Sequence, residues 1–427
     1  MSGRVAAWWA RLRGSLWLLP SVIVAVAVIA AVGLVEIDSR LTPGALDGWP
    51  RLFGAGADGA RAMLTTIAGS MITVAGVTFS MTMVVLSLTS SQYTSRVLRT
   101  FLEDRGNQAV LGVFLGIYAY CLVVLRTIRG GDEVAFVPSL SVLFAVGLAL
   151  VGIAVLIRFI HHVSHGIRAS HIVAGIARET RSTLDRLHEG VDEESPADAG
   201  HPPDGIAWTI VTAGTTGYVQ HVDTAALRSA AASGKGWIRI DVHVGDFVIE
   251  DVGFARVAGV ADVTSLRDAL QRAIVIGPQR SIVQDAAFGF RQIVDVALKA
   301  LSPASNDSTT GRICLDHLGA LLVHAARRVP VEPRERGTAR VTMPRHTFAD
   351  LVDLTLDEIR AAARDNAALL GHVVDMVATV AQVAPARARA HLRMHVDALA
   401  ANLRALHDER DREMLDARVV RARQAIG

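Results

Sequence analysis

Four long apolar stretches constrain this chain more than any other feature; they run roughly from Leu16 to Val35, Ala62 to Leu88, Gln108 to Leu125 and Val137 to Ile157. Each is long enough to cross about 30 Å of hydrocarbon at about 1.5 Å per residue of helix. In lipid the backbone must satisfy its own hydrogen bonds, so each stretch is expected to be helical. Charges are sparse and confined to connections from Leu16 to Ile160, and frequent from Arg168 onward. A membrane part therefore precedes a water-soluble part.

The first stretch follows Arg4, Arg11 and Arg13, as in a signal peptide, but its apolar core is too long and no A-x-A site follows. It reads as an anchor that stays. Arg96, Arg99 and Arg105 follow the second stretch, and Arg158, Arg168 and Arg178 the fourth. The opposite connections carry Arg40, Arg51, Arg61, Arg126 and Arg129 among acidic residues. This bias favours both termini inside a bacterial plasma (inner) membrane, with the C-terminal part cytoplasmic. A net charge of +2 over 427 residues, without a basic run, argues against nucleic acid as a partner. The two cysteines, Cys121 and Cys314, indicate neither a disulfide framework nor a cysteine-based metal site.

The second stretch belongs to a run without charge from Ala62 to Ser95, and it carries hydroxyls at helical spacing: Thr66, Ser70, Thr73, Ser80, Ser87 and Ser91. At 100° per residue these fall within an arc of roughly 100°, with Gly69 and Gly76 at its edge. Such a face is suited to lining a pore, because hydroxyls replace part of an ion's hydration. It is equally suited to tight helix packing, since Gly69 with Thr73 and Gly76 with Ser80 are small residues four apart. Gly112 and Gly116 repeat that spacing in the third stretch.

After the fourth stretch, His161, His162, His165 and His171 lie on a helix expected to continue to about His188. They read as interfacial imidazoles beside Arg158 and Arg168. Val191 to Asp204 is acidic and rich in proline, and reads as a linker. Trp208–Val211, Tyr218–Val222, Trp237–Val242 and Asp246–Ile249 are short, β-branched and aromatic, separated by glycine turns, which indicates a small β unit. The SGKGW run lacks the spacing of a phosphate loop.

From Asp262 the pattern becomes helical. A helix over Ser281–Leu301 is expected to bury Val283, Ala287, Phe290, Val294, Ala297 and Leu301, with Gln284, Phe288, Arg291, Asp295 and Lys299 on its other face. Pro303 stops it, and Asn306 or Asp307 is suited to cap the next helix, Thr309–Arg327. Gln284, Arg291, Asp295, Asn306 and Asp307 form a candidate polar site, set against their simpler use as caps and surface ion pairs. Three further helical segments are expected, Phe348–Ala363, Ala367–Val383 and Ala386–Gln424, with His391, His395 and His407 on solvated faces.

Two long segments, SSQYTSRVLRTFLEDRGNQAVLGVFLGIYAYCLVVLRTIR and QRSIVQDAAFGFRQIVDVALKALSPASNDSTTGRICLDHLG, resemble the hallmark stretches of one family. It is a bacterial predicted-membrane-protein family catalogued as a domain of unknown function, DUF2254. FIHH after the fourth stretch, GYVQHVD and VGDFV extend the resemblance over nearly the whole chain. Ser95 and Ser308 stand where members usually carry proline. The resemblance implies a four-span membrane region and a cytoplasmic C-terminal domain, and it brings no catalytic residues.

The expected fold is a mainly α membrane protein, with four transmembrane helices followed by a cytoplasmic α+β domain. Residues 1–160 form the membrane region, 161–204 a juxtamembrane helix and linker, 205–260 the β unit and 261–427 the helical region. No nucleophile elbow, metal tetrad or nucleotide loop is present in sequence, so no enzyme, metal or cofactor is assigned. The expected role is an oligomerising membrane scaffold or signal-relay protein with a cytoplasmic working domain. The alternative is an oligomeric channel lined by the hydroxyl face. Expected partners are the lipid bilayer, further copies of the chain and an unidentified cytoplasmic ligand.

Overall fold

The computed structural model describes residues 17–40, 56–92, 105–129, 136–166, 168–192, 205–233, 236–259, 263–329, 340–403 and 408–427. It divides into two compact units, Met1–Arg168 and Ala169–Gly427. The fold is mostly helical, with four helices long and apolar enough to cross a membrane and a small sheet region.

The first unit contains α1 (Leu18–Arg40), α2 (Ala57–Gln92), α3 (Arg105–Thr127) and α4 (Ser139–Gly166). Helices α2 and α3 contain their expected stretches, whereas α1 and α4 begin two residues inside theirs, and all four run beyond the expected C-terminal end. Half of the apolar window of α3 is buried, against 11–22% for the other three. It is therefore the central helix, packed on α1, α2 and α4. Its fully buried side chains include Phe114, Tyr120, Cys121 and Val124. Gly112 permits close approach to α1, because an added Cβ would come within 2.8 Å of Ile23 Cδ1 and 2.9 Å of the Pro20 backbone. Asp38, near the end of α1, caps α4: its carboxylate accepts from Leu140 N at 3.1 Å, Ser141 N at 2.9 Å and Ser141 Oγ at 2.6 Å. A buried carboxylate is tolerated there because donors surround it at the positive end of a helix.

In the second unit the helices are α5 (Ala169–Asp192), α6 (Thr224–Ser233), α7 (Val263–Ala273), α8 (Ala286–Ala300), α9 (Ser308–Ala325), α10 (Phe348–Ala362), α11 (Ala367–Val383), α12 (Ala386–Leu403) and α13 (Glu409–Ile426). Its strands are β1 (Trp208–Thr212), β2 (Gly217–Val222), β3 (Trp237–Ile240), β4 (Phe247–Val248), β5 (Gly253–Ala258), β6 (Ile274–Gly277) and β7 (Val341–Thr342). One sheet has the order β1-β5-β3-β7 and the other β4-β2-β6. Pairing is antiparallel except between β3 and β7, where Ile238 stands opposite Val341. Val211, Leu227, Ile240, Val257, Leu270 and Val341 belong to one core shared by both sheets, α6 and α7.

Several expectations require correction. The helix expected from His161 to His188 is two, since α4 ends at Gly166 and α5 starts at Ala169. Strands β5, β6 and β7 and helix α6 were not legible in the pattern. The helix expected over Ser281–Leu301 begins at Ala286, where the Asp285 side chain caps it by accepting from Phe288 N. It is also buried nearly all round, Phe288 and Gln292 included, because α5, α9 and α10 all pack on it. Val283 lies outside the helix and is 55% exposed. Of the two caps expected for the next helix, Asp307 is the one α9 uses, in agreement with the sequence. The final expected segment is divided into α12 and α13, with residues 404–407, including His407, outside the described residues.

Candidate functional site

A cavity of about 110 Å³ opens in the second unit, lined from α5, the β3–β4 turn, the start of α8, the end of α9 and the segment between β7 and α10. Its polar lining is one-sided. His188, His243, Arg328, Arg345 and His346 face it with Gln284 and Thr224, and no aspartate or glutamate is among the described lining residues. Ala286 and Ala287, the first residues of α8, also line it, so a helix N-terminus contributes partial positive charge.

The β3–β4 turn is held from both sides. Asp246 accepts from His243 N at 2.8 Å, and Gly245 N donates to Val219 O at 2.8 Å. Gly245 has φ +99°, and an added Cβ would collide with the Asp285 carboxylate, so glycine is required on both counts. Asp285 is only 2% exposed and is clasped by Arg280 through Nε at 2.9 Å and Nη2 at 2.7 Å. Burial nevertheless pushes its pKa up.

Two imidazoles stack in the cavity wall, His243 on His346, with centroids 4.5 Å apart and planes 16° from parallel. They titrate in opposite directions. Its hydrogen bond to Asp246 pushes the His243 pKa up. Burial, and then the neighbouring His243, push His346 down to about 4, and its Nε2 is buried without a hydrogen-bond partner among the described residues. Arg328 pairs with Asp185 at 2.9 Å, and Arg345 donates to Leu187 O at 3.3 Å.

The five residues of the expected polar site are dispersed along α8 and beyond. Gln284 lines the cavity and brackets Val222, accepting from its N–H at 2.9 Å and donating to its carbonyl at 3.3 Å. Arg291 binds Asp295 at 2.7 Å within α8, and its other nitrogens reach the Glu358 carboxylate of α10. Asn306 takes a left-handed conformation, φ 44°, in the turn before α9. Asp307 accepts from Thr310 N at 3.0 Å and Thr310 Oγ1 at 2.6 Å. The 15 residues of α8 place its two ends about 20 Å apart, so Gln284 does not share a site with Asn306 and Asp307.

The hydroxyl row of α2 points away from the other helices of its unit. Thr66, Ser70, Thr73, Ser80 and Ser87 are exposed, as are Gly69 and Gly76; the Ser91 side chain lies outside the described residues. The packed face is instead Ala60, Leu64, Ala68, Met71, Ala75 and Thr78. Thr66, Ser70 and Thr73 each donate to the carbonyl four residues earlier, at 2.7–2.8 Å. Their hydrogen bonding is thus internal to the helix.

The histidines of α12 depart from the solvated placement expected for them. His395 is 5% exposed, and His391 and His395 both point Nε2 at Asp353 of α10. Their spacing, one turn apart, was visible in sequence, but the carboxylate they meet comes from another helix. His346 and Arg345 gave no sequence signal, since no regular pattern links them to His243. Of the earlier histidines, His161, His162 and His171 are exposed, and the His165 side chain lies outside the described residues.

The family described as predicted membrane protein (DUF2254) matches residues 13–379. Uncharacterized proteins of Mycobacterium bovis and of two strains of Mycobacterium tuberculosis are each 31% identical over 431 residues, covering 97% of this chain and 81% of the relative. No solved structure matches.

Proposed function

The chain belongs to the DUF2254 family of predicted membrane proteins, and from that premise we infer a membrane-anchored signal-relay protein whose water-soluble unit responds to a small anion. One observation carries this: the cavity presents Arg328, Arg345 and three histidines, with no carboxylate among its described lining residues. An anion there gains charge-assisted hydrogen bonds from guanidinium and imidazole and the favourable end of α8. The ligand class is a small phosphate or carboxylate. The basic residues flanking the spans support a plasma-membrane placement with both termini and the working unit in the cytoplasm. The exposed small face of α2 supports self-association in the bilayer.

Thermal melting of the full-length protein in detergent tests the cavity. Inorganic phosphate or acetate should raise Tm above that in chloride at equal ionic strength, and Arg345→Gln should abolish the rise. The absence of any anion-dependent rise in the wild type refutes the reading. Phosphate binding should tighten as pH falls from 6.5 towards 4, because an anion that keeps its charge favours protonation of His346. Without ligand the sign reverses for stability. Neutral His346 contributes about 3 kcal/mol above pH 6.5, at 1.36 kcal/mol per pKa unit, lost as pH falls to about 4. Protonated His243 contributes below pH 6.5, and that contribution is lost as pH rises through its raised pKa. Urea melts from pH 4 to 8 should show the acid loss reduced in His346→Gln.

The second reading is an oligomeric pore with the α2 hydroxyls towards water, favoured by their common exposure. Planar-bilayer recording decides it: currents reduced by Ser80→Leu with Ser87→Leu, in an assembly of unchanged size, support a pore. Silent bilayers remove it.

A further inference from the structure

A second cluster involves none of the cavity-lining residues and joins α10 to α12. His391 and His395 are one turn apart on α12, so both imidazoles leave one face. His391 Nε2 stands 2.6 Å, and His395 Nε2 2.7 Å, from the same oxygen, Asp353 Oδ1. One ligand atom from each of the three residues lies within 4.8 Å of the others. Asp357, one turn along from Asp353, places Oδ1 3.9 Å from His395 Nδ1 and 3.7 Å from Arg360 Nη2.

Hydrogen bonding among neutral groups leaves this arrangement in conflict. A neutral imidazole donates from one nitrogen and accepts at the other. If His395 donates from Nε2 to Asp353, its Nδ1 lone pair is turned towards the Asp357 carboxylate. A cation between the three groups removes the conflict. Both Nε2 atoms then supply lone pairs, and His395 Nδ1–H is left on the side of Asp357, 3.9 Å away, close enough for a small side-chain shift to make it the outer carboxylate partner of a metal-bound histidine.

We propose that Asp353, His391 and His395 bind a divalent transition metal, zinc by preference, with Asp357 orienting His395. Two imidazoles and a carboxylate are a zinc donor set, and three protein ligands leave a fourth position for water or an exogenous group. Tetrahedral bonds of about 2.0–2.2 Å put donor atoms about 3.4 Å apart, so the two imidazole–carboxylate separations open by less than about 1 Å. Asp353 is 42% exposed, which gives the ion an entry path. The pairs His324–Asp185 and His372–Asp316 each bring a single imidazole to the carboxylate, and they separate this proposal from ordinary histidine–carboxylate pairing.

The test uses full-length protein purified in detergent through a histidine-free tag and stripped with a chelator. Zn²⁺ alone is titrated against a chromophoric indicator, and Co²⁺ by its visible absorption. The wild type is expected to hold one equivalent, with cobalt bands of a tetrahedral site. Asp357→Asn should weaken binding roughly ten- to a hundredfold, as loss of an outer partner does, and His391→Gln should weaken it further. His372→Gln should bind as the wild type. Because His395 is buried, the more exposed His391 carries the test even if His395→Gln does not fold. Any of three binding results overturns the proposal: no zinc bound by the wild type, wild-type affinity in both His391→Gln and Asp353→Asn, or an equal loss in His372→Gln. Melting that responds to pH but not to zinc assigns the cluster to a proton, and likewise overturns it.

Discussion

Two rows of small residues in the first unit share a spacing and differ in what they meet. Gly112 and Gly116 of α3 are pressed against Pro20, Ile23 and Ala27 of α1. Gly69 and Gly76 of α2 have nothing among the described residues within 4 Å of an added Cβ. Small residues four apart permit close helix approach but do not select the approaching helix. On α3 the glycines lie on a helix surrounded by three others, so they are consumed inside the unit. On α2 the alanines and Leu64 serve the internal contact, and the glycines and hydroxyls are left for whatever surrounds the chain.

The largest expected effect breaks or upholds this contrast directly. Gly112→Leu forces a side chain into the α1 backbone at Pro20, and overpacking of this kind costs about 1–3 kcal/mol or more. Gly69→Leu meets open space and should stay within about 0.5 kcal/mol. Unfolding of both variants in mixed detergent measures the difference. Equal losses would show that the α2 row is packed as tightly as that of α3.

Removal of the α4 cap is a smaller perturbation that sharpens the boundary of the internal contacts. Asp38→Ala leaves Leu140 N, Ser141 N and Ser141 Oγ without their acceptor, for an expected cost of about 2 kcal/mol. Asp38→Asn retains an acceptor and should recover part of it. If the alanine variant melts as the wild type, that polar contact contributes nothing and apolar packing alone holds α1 to α4.

The contrast also marks what was legible in the amino-acid sequence. The four helices long and apolar enough to cross a membrane were, because nothing except a membrane or a deep core accepts apolar runs of that length. Helix α11 was as well, since Asn366 caps it and Pro385 follows its end. Periodicity located the small faces of α2 and α3, but a period names a face and not its neighbour. For the same reason α8 looked one-sided although three helices cover it. Strand β7 has two residues, and its partner β3 lies about a hundred residues earlier, too short and too distant for any local pattern. The cavity inherits that difficulty. His243 and His346 come together only once β7 has paired with β3, so stacking of two imidazoles depends on a contact with no sequence signature.

The smallest effect on stability tests the outward row most selectively. Thr66, Ser70 and Thr73 are bonded to their own helix, so lipid contact costs them little, and a single copy should tolerate Gly69→Leu with Gly76→Leu. Self-association should not tolerate it. Leucine at both positions would hold a second helix away by the width of a side chain, removing the close packing that small residues allow. Cross-linking or mass photometry in nanodiscs should show the wild type as an oligomer and the double variant as a folded single copy, its melting temperature lowered only by the lost association. A wild type that is already a single copy, or a double variant that still assembles, would assign the row to lipid. The two glycine rows would then differ as packed and unpacked, and not as internal and external interfaces.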